Sequence, residues 1–167
     1  MRGMILGAAA LCGLAVQPAL AQRHCTSHAE MSAFEIMALR SELMVLATGC
    51  NEEQRYNSFI RRFQPDLQAN ERAITTYFRK HYGRSAQNEQ DRFVTDMANA
   101  RSRLGTQLGS DFCPRNGMIF AEVMAVRNAN ELAEFAAGKG LVPSTVDVCQ
   151  QVAAAPPAKP ATTTVKR

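Results

Sequence analysis

Four cysteines, Cys25, Cys50, Cys113 and Cys149, restrict the folds open to this chain more than any other feature. They lie far apart, with no C-x-x-C redox motif and no C-x-x-C-H haem-attachment motif. An even number of widely spaced cysteines in an exported chain implies two disulfides, and four cysteines allow three pairings. A free exported thiol tends to be oxidised, which argues against a thiol enzyme. The fifth cysteine, Cys12, belongs to a leader. Arg2 supplies a short basic start, Ile5 to Val16 an apolar run, Pro18 a break and Ala19-Leu20-Ala21 a small-residue cleavage site. That is the pattern of a secretory signal removed after Ala21. The apolar run is shorter than the about 20 residues needed to span a bilayer. Leu11 precedes Cys12 where a lipidated cysteine needs a small residue.

The expected organisation is therefore a signal peptide at 1–21, a helical domain at 22–152 and an Ala/Pro/Thr-rich tail at 153–167, expected to be disordered. The expected location is the periplasm or the exterior, with no transmembrane segment once the signal is gone. Hydrophobic residues make up 46% of the 167 and charged residues 20%, an ordinary globular composition that excludes collagen-like and polytopic membrane classes. The formal charge of +4 points at first to nucleic acid. Residues 22–152, however, hold 15 basic and 15 acidic residues, and the excess sits on Arg2, Lys159, Lys166 and Arg167. No nucleic-acid partner is expected. Within the domain, segment 55–103 carries 10 basic and 5 acidic residues, whereas both flanks are acidic. Internal complementarity explains this pattern simply. An anion-facing patch is the functional alternative.

Helical periodicity dominates the domain. Ser27 with Glu30 forms a capping-box signature ahead of a helix running to about Ala47, apolar over more than half its girth and so expected to be central. Gly49 is expected to end it, and Asn51 to cap the next helix. Tyr56, Phe59, Ile60, Phe63 and Leu67 recur at helical spacing, and the pattern continues through Ile74 and Phe78 to Tyr82. Pro65 interrupts it, and a kink is favoured over a reversal because no Gly, Asn or Ser stands beside the proline. A third helix spans about Ala86 to Leu108. A fourth opens near Pro114 and ends at Gly138 and Gly140, with Asn128–Asn130 able to bend or split it. No alternation of β-branched residues is long enough for a sheet.

The expected fold is all-α, a mostly antiparallel four- to five-helix bundle with two disulfides. Short loops between long helices make sequential helices antiparallel neighbours. With a kink at Pro65, an up-down-up-down course brings Cys50 to Cys113 at one end and Cys25 to Cys149 at the other. With a reversal at Pro65 the pairs become Cys25–Cys113 and Cys50–Cys149. Each bridge closes a long loop worth about 3–4 kcal/mol.

The runs LRSELMVLATGC, RYNSFIRRFQPDLQ, YFRKHYG, RFVTDMANARS and DFC, from Leu39 to Cys113, resemble a group of small exported bacterial helical proteins without an assigned activity. The resemblance supports export and the Cys50/Cys113 pair. It supplies no catalytic or binding residue.

Few constellations suggest chemistry. Cleavage after Ala21 leaves Gln22-Arg23-His24, whose amine, amides and imidazole suit a square-planar copper-type site, with His28 close by. His24-Cys25-Thr26-Ser27-His28 also has the elements of a zinc site, although Cys25 is better used in a disulfide. His81 reads as a cation at a helix end. Arg55, Arg61 and Arg62, with Tyr56 and Phe63 among them, form the candidate binding cluster, since arginine with aromatics grips phosphate or sugar. Glu30 with Glu35, and Glu52 with Glu53, read as helix-start charges rather than a glycosidase pair. Asn57 and Asn99 beside apolar stripes are candidate buried register-setting groups. No hydrolase, P-loop, dinucleotide or zinc-protease motif is present. No catalytic residue and no cofactor are expected. The favoured function is a non-enzymatic envelope module binding a protein, lipid or glycan. The alternative is a small-ligand or copper-type carrier. Last comes a hydrolase with a cleft among Asn57, Arg61, Asp96 and Asn99.

Overall fold

The structure, a computed structural model, describes residues 26–146 and 148. The expected signal, His24, Cys25, Cys149 and the expected tail lie outside the described residues. The described residues form helices α1 (His28–Cys50), α2 (Glu53–Arg62), α3 (Gln64–Tyr82), α4 (Ala86–Leu108), α5 (Phe112–Asn116), α6 (Met118–Ala125) and α7 (Ala129–Gly138). Among the described residues β pairing is limited to an isolated parallel bridge between Thr26 and Val148. The all-α expectation holds. No described helix is long and apolar enough to cross a membrane.

α1 begins as its sequence directs. The Ser27 hydroxyl accepts from the Glu30 amide, and the Glu30 carboxylate accepts from the Ser27 amide at 2.8 Å. Its other end corrects the expectation. The helix runs through Gly49 to Cys50 and is closed by Asn51, in the left-handed region at φ 57°. Asparagine tolerates that conformation better than most residues. Asn51 is thus the C-cap of α1, and Glu52 starts α2 without a side-chain cap. Gly49 stays helical, with the Phe112 ring lying against it. A Cβ at Gly49 would meet Phe112 Cε1 at 3.5 Å, and one at Gly105 would meet the same ring at 3.3 Å.

Pro65 kinks one arm rather than reversing it. The Phe63 amide donates to Phe59 O and the Leu67 amide to Phe63 O, so helical bonding spans the junction. Inter-helix ties give the course of the chain. Arg40 pairs with Glu71 and Lys80 with Glu30, so α3 runs antiparallel to α1. Phe93 packs on Phe34 and Arg101 pairs with Glu42, so α4 runs parallel to it. The fourth arm is broken into α5, α6 and α7. Gly117 separates the first two, and Asn128 caps the last by accepting from the Glu131 amide at 3.0 Å. Helix α1 touches α2, α3, α4, α5 and α7 and is the central element.

This up-down-up-down course brings Cys50 to Cys113, which form a disulfide with a Cα–Cα distance of 5.7 Å. It is the one disulfide among the described residues. The expected Cys25–Cys149 pair lies outside them.

Two core clusters stack along α1. One gathers Leu39, Leu43, Leu46, Phe59, Phe63, Phe112, Phe120 and Leu132 near the disulfide. The other gathers Ala33, Phe34, Met37, Ile74, Tyr77, Phe78 and Met97 at the far end. Asn57 and Asn99 are exposed and set no register in either core. Among the described residues the buried polar side chains are Thr26, Ser41 and Glu42.

Candidate binding surfaces

The three arginines of the expected cluster take separate roles. Arg55 pairs with Glu52 at 3.2 Å. Arg62 donates to the Val126 carbonyl at 2.7 Å and lies 5.4 Å from the Phe63 ring centroid, tying α2 to the end of α6. Residues seven apart on a helix share a face, so Arg55 and Arg62 point the same way, toward α6. Arg61 points elsewhere and donates to Ser58 Oγ at 3.1 Å.

Arg61 instead belongs to a longer row. Because helical bonding continues through Phe63, spacings of 11 and 7 residues bring Arg61, Arg72 and Arg79 onto one stripe of the α2–α3 arm. All three are exposed, as are Pro65, Gln68 and Thr76 on the same stripe. No carboxylate stands among these positions. Glu71, on the other side, is committed to Arg40 at 3.4 Å and to Gln90 at 2.8 Å. Arg72 and Arg79 were missed at the sequence level. The signal was their spacing from Arg61, which the continuous arm expected across Pro65 already made available.

A groove of about 390 Å³ lies beneath the kink, lined by residues of α1, α3 and α4 together with Tyr56 of α2. A second groove, of about 380 Å³, runs between α4 and the segment after α7, where Asp96, Met97, Arg101 and Leu141 meet. Of the four residues considered for a hydrolase cleft, Asp96 lines this second groove, while Asn57, Arg61 and Asn99 do not.

Behind the second groove sits a buried ion pair. Arg101 Nε lies 2.5 Å from Glu42 Oε2, with the two side chains 25% and 5% exposed. Burial pushes the Glu42 carboxyl above its ordinary range, and the guanidinium opposes that shift. Glu30 is shifted the other way, held down by the Ser27 amide and then by Lys80 against a modest burial cost. His28 is exposed at the first position of α1. Among the described residues no group of three or more His, Cys, Asp or Glu side chains is placed to hold a metal. His81 lies against Tyr77 with ring centroids 4.4 Å apart. No protein-family model, curated protein or solved structure matches the chain.

Proposed function

We propose that this chain is a non-enzymatic exported module, periplasmic or secreted, that engages an anionic partner through the α2–α3 stripe. The observation that carries the reading is the row of Arg61, Arg72 and Arg79, all exposed, with no carboxylate on the stripe. Guanidinium groups bind carboxylate, phosphate and sulfate with matched geometry. Export accords with a second disulfide, Cys25–Cys149. The parallel bridge between Thr26 and Val148, the chain neighbours of those cysteines, supports that pairing. The groove beneath the kink favours a second reading, a carrier of a small ligand.

The test compares two variants of equal net charge. One reverses the stripe (R61E/R72E/R79E) and the other reverses Arg92, Arg103 and Arg115 on other surfaces. On immobilised sulfated polysaccharide at low salt, the parent chain and the second variant should elute together, and the stripe variant much earlier. Equal shifts in both variants would reduce the effect to net charge and end the proposal.

A further inference from the structure

At the Pro65 kink the α2–α3 arm changes neighbours. Helix α3 packs against α4, whereas α2 packs against α6. Between the diverging α2 and α4 a strip of α1 is left uncovered, and the groove of about 390 Å³ forms over it. Met44 is 39% exposed there, although Leu43 and Val45 beside it are buried.

Ser41 lines this groove. It is only 6% exposed, and its Oγ has no hydrogen-bond partner. Hydroxyls within helices commonly donate to the carbonyl four residues back. Thr48, Ser58, Thr76 and Thr106 all do so here. Ser41 does not, so a buried hydroxyl is left open beside a groove.

The other polar groups of the groove set the ligand charge. Arg40 is neutralised by Glu71, whose second oxygen accepts from Gln90. Asp91 also lines the groove, and its carboxylate has no ion pair or hydrogen bond among the described residues. The remaining walls are Met37, Met44 and Val94, with Tyr56 and Thr95 beside them. A cleft of mixed lining, with an apolar patch of Met37, Met44 and Val94, one uncommitted carboxylate and one open buried hydroxyl, favours a cation with a short apolar body.

We propose that the groove binds a small organic amine bearing a hydroxyl group. The ammonium pairs with Asp91, the hydrocarbon lies on Met37, Met44 and Val94, and the hydroxyl bonds Ser41. This inference rests on the carrier reading and is independent of the arginine stripe.

The test uses three probes of one length, 6-amino-1-hexanol, 1,6-hexanediol and 6-hydroxyhexanoate, titrated into the ¹⁵N-labelled mature chain. The amine should shift the amide signals of Arg40, Ser41, Asp91 and Val94 saturably, and bind about tenfold more tightly than the diol or the acid. D91N should remove that preference. S41A should weaken amine binding while melting no lower than the parent, because it deletes an unsatisfied hydroxyl. Equal shifts from the acid, unchanged binding by D91N, or no response to any probe would overturn the amine assignment. Native mass spectrometry of the exported protein separates that failure from failure of the carrier reading. A retained neutral or anionic mass would sink the amine and keep the carrier, whereas a bare mass with no probe response would sink both.

Discussion

Below Arg40, α1 lies between two long helices, α3 of 19 residues and α4 of 23. There the core is aromatic. The Phe34 ring meets Tyr77, Phe93 and Phe78 with centroids 4.8, 5.3 and 6.1 Å apart, mostly edge to face. Burial pushes the Tyr77 hydroxyl up to about 12. Above Arg40, α1 still has the C-terminal part of α4 alongside, but its other neighbours are α2, α5 and α7, of 10, 5 and 10 residues. Helices this short do not hold themselves in water. The upper half therefore uses ties between distant parts of the chain: the Cys50–Cys113 disulfide, the Arg62 bond to the Val126 carbonyl and the Phe112 ring set between two glycines. Long helices with continuous apolar faces close a core by packing alone. Interrupted ones need cross-links, and the interruptions also create the concave surface.

The comparison is broken most directly at its strongest points. Removing the cross-link with C50S/C113S should cost about 4 kcal/mol, from the entropy of a loop whose ends are 63 positions apart. Hydrogen exchange should then rise first in α2, α5 and α6 and last in α3 and α4. In the lower half F34A should cost about 3–5 kcal/mol, with the reverse order of exchange. Uniform loosening in both variants would show that the halves form one cooperative unit.

The Glu42–Arg101 pair bridges α1 and α4, and its predicted effect is smaller. R101M leaves a buried carboxylate without its cation and should cost about 2–3 kcal/mol, discounted because the guanidinium is partly in water. E42Q should act in the opposite direction. Burial raises the Glu42 pKa in the folded state, so the folded chain holds that proton above the pH at which the unfolded chain releases it. Stability therefore falls as pH rises through that window, and E42Q removes the fall. Chemical denaturation at pH 4 and pH 7 should show E42Q more stable than the parent at pH 7, with the advantage shrinking at pH 4.

The smallest effects compare the two glycines around Phe112. Alanine gains up to about 1 kcal/mol over glycine within a helix. At Gly49 the new Cβ would make ordinary contact at 3.5 Å, so G49A should stabilise by about 0.5–1 kcal/mol. At Gly105 the contact of 3.3 Å requires the ring to shift, so G105A should gain less or lose. Thermal melts of both variants check the difference.

Local signals in the sequence carried several helix boundaries, though not the C-terminal end of α1. The Ser27/Glu30 box starts α1, Gly109 closes α4 after Leu108 and Asn128 starts α7, because caps act within one turn of backbone. Chain parity carried the Cys50–Cys113 pair, since the arms alternate direction once Pro65 is taken as a kink. The role of Asn51 was not legible, because the residue suits either a helix end or a helix start. Arg61 and Arg62 are adjacent in sequence, yet one faces solvent and the other anchors α6. Only the position of α6 decides that difference. Asn57 and Asn99 stand beside apolar stripes in the sequence and face solvent in the fold, while Glu42 and Ser41 are enclosed because α1 is surrounded on nearly every side. The groove has no local signature at all. It arises where a proline turns one helix from α4 toward α6, and which neighbour a helix meets is a property of the assembled chain.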